Sequence, residues 1–210
     1  MVSSTQIMNV VEIVARKLTQ AGVRFVFAGS VSSFIQGCEI SPGDIDILVP
    51  ESDDVHKIVF IFGNFINERV FLNEKETPIE DWFSTVSSPI KSFTDFADNH
   101  WTFARIMIHK MKLEIANIEP MIQNDYIQGS GFWENGPHVW EHVIFLPYKD
   151  LLLPVIPLEI QLETNMNRNL EGRIKEINRV FQNTGYNEEL INYALNEENR
   201  MKLQRFQKGD

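Results

Sequence analysis

Apolar residues recur at helical spacing near the start of the chain. They are Ile7, Val10, Val11, Val14 and Leu18. Residues three or four positions apart share one face of a helix, so this spacing predicts an amphipathic helix. Ser3 and Gln6 have the spacing of a capping box at its start, and Ala21-Gly22 marks its end.

Two strand-to-helix units follow this first helix. The apolar run at residues 24–28 predicts a short strand that breaks at Gly29-Ser30, and residues 31–36 can form a helix closed by Gly37. After a turn at residues 41–43, residues 44–49 alternate as in a strand. Pro50 ends that strand, and a helix is expected from about residue 53 to residue 65.

The middle of the chain gives a weaker pattern. Residues 67–100 contain Pro78 and Pro89 and indicate only a loop with short elements, although Trp82 and Phe83 are expected in the core. Two apolar-rich runs, Thr102–Ile108 and Met111–Ile118, flank His109-Lys110. This arrangement predicts an antiparallel hairpin. A glycine-rich connection at residues 128–137 and an apolar segment through Leu146 follow.

Beyond Pro154 and Pro157 the pattern becomes helical. A stripe of apolar residues at helical spacing ends at Gly185, and Asn187 can start a further helix. The chain therefore predicts an α/β fold, with a mixed sheet flanked by helices and a helical C-terminal extension. We expect a core domain at residues 1–150 and the extension at residues 151–210.

The amino-acid composition indicates the class of protein and its location in the cell. Hydrophobic residues make up 43% of the 210 residues and charged residues 23%, as in soluble proteins with a packed core. Cys38 is the one cysteine and cannot form an internal disulfide, which favours a reducing, cytoplasmic location. Neither a signal peptide nor an apolar run of eighteen residues occurs in the sequence, so no membrane association is expected.

A formal net charge of −10 disfavours broad binding to nucleic acid. Such binding depends on lysine and arginine side chains that neutralise phosphates. Any phosphate ligand is therefore expected to arrive with a divalent cation.

Asp44 and Asp46 are the first candidates for chemistry. Residues two apart on a strand lie on the same face, about 6.5–7 Å apart. Ile45, Ile47 and Val49 would occupy the opposite, buried face. Two like charges held together repel, and a shared cation relieves the repulsion. Oxygen ligands without nearby histidine or cysteine favour Mg²⁺ or Mn²⁺ over zinc.

Gly29 and Ser30 are candidates for phosphate binding. Glycine lets a phosphate approach the backbone closely, and the first turn of a helix offers unpaired N–H groups. Taken alone, a Gly-Ser pair and an Asp-x-Asp strand are each common, but their order and spacing here are more specific.

At these residues the chain resembles the nucleotidyltransferase superfamily of the polymerase-β fold. The resemblance lies in Phe27-Ala-Gly29-Ser30 and in Gly43-Asp44-Ile-Asp46-Ile47, and it covers roughly residues 1–120. It implies that Asp44 and Asp46 hold metal ions and that a third carboxylate lies on a neighbouring strand. Glu114 matches that third position, where aspartate is commoner in the family. Glu119 and Asp125 are weaker candidates, and Glu114 could instead be an ordinary exposed strand residue.

The resemblance implies Mg²⁺- or Mn²⁺-dependent transfer of a nucleotidyl group from an NTP to a hydroxyl-bearing acceptor. Glu114 would bind the metal nearest the acceptor hydroxyl and could accept its proton. The acidic composition favours a small molecule or a protein as acceptor over RNA. The alternative is a non-catalytic nucleotide-binding or toxin–antitoxin-type interaction protein that retains the fold, and glutamate in place of aspartate motivates it.

The other motifs in the sequence give only weak support for a different function. The spacing of His138, Glu141 and His142 matches an inverted zinc-protease motif, but a strand is expected there, and it would hold the histidines about 13 Å apart. The sequence contains no P-loop motif. Gly129-Ser-Gly131 is read as a flexible connection. Arg168, Arg173 and Arg179 are read as a solvated helix face, with phosphate contact as the less favoured alternative.

Overall fold

The computed structural model describes residues 3–66, 78–121 and 126–208. It divides into two compact units. The first comprises Met1–Val26 and Gly43–Met121, and the second comprises Phe27–Pro42 and Ile122–Asp210.

Strands and helices alternate along most of the described chain. The strands are β1 (Val26–Phe27), β2 (Asp44–Leu48), β3 (Lys91–Thr94), β4 (Asn99–Ile108), β5 (Met111–Pro120), β6 (Ile144–Tyr148) and β7 (Leu151–Val155). The α-helices are α1 (Ser4–Gln20), α2 (Gly29–Ile35), α3 (Ser52–Ile61), α4 (Leu158–Asn167), α5 (Glu171–Thr184), α6 (Glu188–Ala194) and α7 (Glu197–Lys208). The strands form one mixed sheet in the order β3-β4-β5-β2-β1-β7-β6. This confirms the predicted α/β fold class.

In the first unit, three antiparallel strands meet one parallel neighbour. Strands β3, β4 and β5 pair antiparallel, and β2 pairs parallel with β5. Ser3 caps the first helix, because its hydroxyl accepts a hydrogen bond from the Gln6 backbone N–H at 3.2 Å, while the Gln6 side chain donates to the His109 carbonyl. The apolar stripe of α1 is buried along its whole length.

The predicted hairpin is confirmed, and its turn has an unusual composition. Strands β4 and β5 are joined directly at His109 and Lys110, whose φ angles are +46° and +70°. Positive φ at both central positions is typical of a type I′ turn, which normally contains asparagine or glycine. The flanking strands pair over their full length, which is what holds two ordinary residues in this conformation.

The second unit contains β6, β7, five α-helices and the glycine-rich connection. Phe27 pairs parallel with Val155 of β7, and β6 pairs antiparallel with β7. Helix α2 begins at Gly29, earlier than expected, and α4 to α7 follow Pro157 as the predicted helical C-terminal part. The domain division at residue 150 stays a prediction.

Three local expectations are corrected. The helix expected to reach residue 65 ends at Ile61 and continues as a 3₁₀ helix at Gly63–Phe65. Strand β3 lies in a segment that gave no clear pattern, and residues 67–77 of that segment lie outside the described residues. The strand expected at residues 138–142 is wrong, because Pro137–Glu141 form a 3₁₀ helix before β6 begins. Proline at the first helical position favours that helical turn.

Among residues 3–66, 78–121 and 126–208, no helix combines the length and the apolar character needed to cross a membrane.

Candidate metal centre

The pairing of β2 with β5 brings three carboxylates together in the first unit. Asp46 lies opposite Glu114 in the register, and Asp44 lies opposite Lys112. One ligand oxygen from each of Asp44, Asp46 and Glu114 lies within 4.8 Å of the other two. The residues singled out from the sequence are therefore neighbours in space.

Burial along β2 follows the predicted alternation. Ile45 and Ile47 are buried at 0% and 1% exposure and fix the strand against the core. The Asp44 side chain on the opposite face remains 29% exposed, and that of Glu114 on β5 is 20% exposed. Half-buried carboxylates of this kind stay accessible to a ligand while their backbone is held rigidly by the sheet.

A buried arginine holds the third carboxylate. The Arg105 Nε donates to Glu114 Oε1 at 2.8 Å, and the Arg105 side chain is only 7% exposed. These two residues lie opposite each other in the β4–β5 register. Sequence analysis missed Arg105, although the two-residue turn at His109-Lys110 fixes residue 105 opposite residue 114.

The loop before β3 anchors the Arg105 guanidinium. Its Nη1 donates hydrogen bonds to the backbone carbonyls of Glu80 at 3.0 Å and Trp82 at 2.9 Å, and also to the carbonyl of Ile79. The guanidinium carbon lies 5.1 Å from the centre of the Phe103 ring. Because the arginine is fixed on several sides, it fixes the position of Glu114 Oε1 in turn.

Lys112 adds a second, looser positive charge. Its Nζ lies 3.9 Å from Asp44 Oδ2 and 4.0 Å from Glu114 Oε1. The three carboxylates together carry more charge than Lys112 and Arg105 offset. The oxygen-only donor set and the excess negative charge suit a hard divalent cation such as Mg²⁺ or Mn²⁺. Oxygens on opposite sides of Mg²⁺ are about 4.2 Å apart, so the observed spacing is compatible with such an ion after small movements.

Gly29 and Ser30 lie in the second unit, at the start of α2. Gly29 has a φ of +54°, a conformation that favours glycine, and Ser30 is buried. Their role in phosphate binding stays a prediction.

Glu134 is a further residue that sequence analysis missed. It is 6% exposed, and the Gly29 backbone N–H donates a hydrogen bond to its carboxylate. Burial raises the pKa of Glu134 from 4.5 to about 7, while the charges of Arg168 and Arg173 and the Gly29 hydrogen bond act in the opposite direction. No sequence signal links Glu134 to Gly29, because the two residues are far apart in the chain.

Glu119, one of the weaker candidates, is not part of this cluster. Glu119 is exposed near the end of β5, and Asp125 lies outside the described residues. His138 and His142 lie on and just after a 3₁₀ helix, and burial lowers the pKa of His142. Across the described ranges, Asp44, Asp46 and Glu114 form the one group of three or more residues with metal-ligand spacing. The zinc-protease interpretation therefore gains no support.

The chain was compared with family models, curated proteins and solved structures, and only the solved structures are similar to it. No family model matches the chain, and no curated protein matches it. Several solved structures do, among them two with nucleotidyltransferase in their names. One is a provisionally named nucleotidyltransferase from Thermotoga maritima, with a TM-score of 0.54 and 15% identity over 86% of this chain and 95% of that one. The other is an antigenic nucleotidyltransferase-like protein from Paracoccidioides brasiliensis, with a TM-score of 0.51 and 12% identity over 99% of this chain and 90% of that one.

At 15% and 12% sequence identity, the similarity to these structures shows a shared fold and nothing more. The chain has a nucleotidyltransferase-like fold, as the sequence resemblance implied. Its acidic triad occupies the strands on which that resemblance predicted metal ligands.

Proposed function

We propose that this chain is a metal-dependent nucleotidyltransferase that moves a nucleotidyl group from an NTP to a hydroxyl-bearing acceptor. The observation that supports it most directly is the clustering of Asp44, Asp46 and Glu114 on two paired strands. The nucleotidyltransferase-like fold adds support from a separate direction.

The proposed roles follow from the positions of the side chains. Mg²⁺ or Mn²⁺ held by the three carboxylates would neutralise phosphate charge and make the acceptor hydroxyl more acidic. Asp44 and Asp46 would orient that ion from one strand. Glu114 would complete the ligand set from the neighbouring strand, with Arg105 fixing its Oε1. The assignment of Gly29 and Ser30 to the triphosphate rests on the sequence.

In the proposed reaction, the acceptor oxygen forms a bond to the α-phosphorus of the NTP. The bond from that phosphorus to the bridging oxygen breaks, and pyrophosphate leaves with the electron pair. The hydroxyl proton passes to a base, for which Glu114 is the candidate. The acidic composition favours a small molecule or a protein as acceptor.

A second candidate is a nucleotide-binding protein without turnover. The Arg105–Glu114 ion pair favours it, because one oxygen of the third carboxylate is already engaged by a fixed guanidinium. Such a protein would bind an NTP saturably without transferring any part of it.

Differently labelled nucleotides separate the two candidates. The protein is incubated with Mg²⁺, cell extract as acceptor, and each NTP labelled at either the α- or the γ-phosphate. A nucleotidyltransferase moves the α-label to the acceptor and releases the γ-label as pyrophosphate, whereas a binding protein does neither. Asp46→Asn serves as the matched control and should lose transfer by a factor of about 10² or more. Transfer that persists undiminished in EDTA would exclude the proposed metal centre.

A further inference from the structure

Helices α5 and α7 border a groove in the second unit. Its wider part has a volume of about 650 Å³. The residues that line this part include Ile174, Lys175, Lys202, Arg205 and Phe206. A narrower cavity of about 290 Å³ is lined by Asn178, Phe181, Gln182, Tyr186 and Phe206. Because Phe206 lines both cavities, and Ile174, Asn178 and Phe181 recur at helical spacing on α5, the two cavities form one groove.

Asn178 brings an unpaired hydrogen-bond donor to the narrower cavity. The residue is 4% exposed, and its Nδ2 is buried without a hydrogen-bond partner among the described residues. A side-chain amide nitrogen only donates, and a buried donor without an acceptor costs free energy. The same side chain lines the cavity. An acceptor atom of a ligand in this cavity would therefore supply the hydrogen bond that the protein itself leaves unmade.

Aromatic side chains form the walls of the same cavity. The rings of Phe181 and Tyr186 lie 5.1 Å apart, and Phe206 is 46% exposed although it is a large apolar residue. Nucleobases stack on aromatic side chains of this kind and carry hydrogen-bond acceptors on their edges. The narrower cavity therefore has the chemistry to hold a planar ring whose acceptor meets the Asn178 amide.

The wider part of the groove is positively charged on an acidic protein. Three basic side chains line it, Lys175, Lys202 and Arg205, against the single acidic residue Glu171, whereas the whole chain has 29 acidic and 19 basic residues. Within the described ranges, Lys175 and Arg205 form no salt bridge. Lys202 pairs with Glu198 at 2.7 Å, but both side chains are exposed, and such a pair is weak enough to exchange for another anion. This local excess of positive charge favours an anionic ligand group.

We propose that the groove between α5 and α7 binds a nucleoside monophosphate. Its base occupies the aromatic cavity and accepts a hydrogen bond from Asn178, and its phosphate lies against Lys175, Lys202 and Arg205. A ring with an acceptor and an attached anion is the ligand chemistry that the two parts of the groove require together. None of these residues belongs to the acidic triad, and the inference does not depend on the proposed reaction.

Titration calorimetry of the full chain tests this proposal with AMP, GMP, CMP and UMP as ligands. EDTA is present, so that a metal held by the triad plays no part. We expect saturable binding of at least one of the four. Its nucleoside, which lacks the phosphate, and ribose 5-phosphate, which lacks the base, should each bind about tenfold more weakly or worse. The proposal is overturned if none of the four binds, or if the nucleoside or the sugar phosphate binds equally well.

Variants at exposed positions locate the bound nucleotide in the groove. Phe206→Ala should weaken binding about fivefold or more, because it removes a stacking surface. Met201→Ala is its matched control, since Met201 is an exposed apolar residue of α7 that does not line the groove. Lys175→Gln and Arg205→Gln should each weaken binding and reduce its dependence on salt, whereas Lys57→Gln on α3 should not. Wild-type affinity in Phe206→Ala and in both basic variants contradicts the proposal.

Asn178→Leu tests the unpaired donor. Exchange of an unsatisfied buried amide for an apolar side chain should leave the melting temperature unchanged or higher, while nucleotide affinity falls about tenfold. A variant that melts well below the wild type would show that the amide already has a protein partner.

Asp46→Asn separates this inference from the proposed function, because it should bind the monophosphate like the wild type. Loss of binding in this variant would assign the ligand to the triad and overturn the groove. If the groove binds but NTP transfer is never observed, the groove stands and the proposed reaction fails. If transfer is observed without groove binding, the reaction stands and the groove fails.

Discussion

At the residue scale, Glu114 both pairs with a buried arginine and lies beside the aspartates of β2. Its Oε1 accepts a hydrogen bond from the buried Arg105 guanidinium. A carboxylate oxygen of Glu114 also lies within 4.8 Å of an oxygen of Asp44 and of Asp46. Arg105 in turn holds three backbone carbonyls, so its removal would disturb the loop before β3 as well as the site. The position of the third carboxylate thus depends on Arg105, an arginine that is itself fixed by the backbone.

Arg105→Gln should destabilise the protein by about 2–4 kcal/mol, because it leaves a half-buried carboxylate and several carbonyls without their donor. Urea unfolding measures this change. Lys112→Gln is the matched control, since Lys112 is 37% exposed and 3.9–4.0 Å from its partners, and its loss should cost less than about 1 kcal/mol. Equal losses in the two variants would show that Arg105 does not anchor Glu114.

Glu134 makes a separate prediction about stability and pH. The unfolded chain releases this proton near pH 4.5, whereas the folded chain holds it to about pH 7. Since the folded state binds more protons between these values, raising the pH through this window favours unfolding. Glu134→Gln should therefore gain stability relative to the wild type between pH 4.5 and pH 7, by on the order of 1–3 kcal/mol, and keep that gain at pH 8.

Urea unfolding of the wild type and Glu134→Gln at pH 5 and pH 8 checks this prediction. The matched control is Glu39→Gln, whose carboxylate is 80% exposed and which should show no such divergence. A stability difference that is the same at both pH values would mean that Glu134 titrates normally.

At the scale of elements, the β4–β5 hairpin aligns the site. Its register sets Arg105 opposite Glu114, and the β2–β5 register sets Asp46 beside Glu114. A shift of one residue in either register would turn one of these side chains to the other face of the sheet. The turn at His109 and Lys110 is therefore part of what positions the three carboxylates.

Lys110→Gly should stabilise the hairpin by about 0.5–1 kcal/mol. Lys110 has a φ of +70°, which costs energy for any residue with a Cβ atom and little for glycine. Lys110→Ala is the matched control, because it removes the same charged side chain without relieving the backbone. If thermal or urea unfolding shows the same change for both variants, the effect belongs to the side chain and not to the turn.

These elements also show which features of the fold and site could be predicted from the sequence. The alternation at residues 44–49 predicts the strand and its two aspartates, since buried isoleucines determine which face is polar. Strand β3 was not predicted, because its exposed outer positions leave little hydrophobic pattern. The Gly29–Glu134 contact could not be predicted, because no local pattern encodes the pairing of two residues so distant in sequence.

At the scale of the whole molecule, the chain is acidic and carries its cluster of three carboxylates in one of two compact units. The boundary expected at residue 150 came from a change in composition and stays a prediction. Residues 27–42 belong to the same unit as the C-terminal helices, and only tertiary contacts can show this. Stability measurements must therefore allow for more than one unfolding transition.

Metal binding should appear as a gain in thermal stability that depends on the triad. A cation that binds only the folded unit stabilises it by about 1.4 kcal/mol at tenfold excess over its Kd, or roughly 3–6 °C in a protein of this size. Calorimetry with Mn²⁺ and with EDTA should show this shift in the wild type. If the two units melt separately, only the transition of the unit that contains the triad should move.

Asp46→Asn should abolish that shift while leaving the metal-free protein intact. The substitution keeps the shape of the side chain and removes one of three like charges whose oxygens lie within 4.8 Å. Relief of this repulsion should make the variant at least as stable as the wild type in EDTA. A structural aspartate would behave differently, since its loss costs about 1–3 kcal/mol with or without metal. Asp81→Asn, an exposed aspartate outside the cluster, should retain the wild-type shift. An Asp46→Asn protein that melts well below the wild type in EDTA would show that Asp46 supports the fold and does not serve as a ligand.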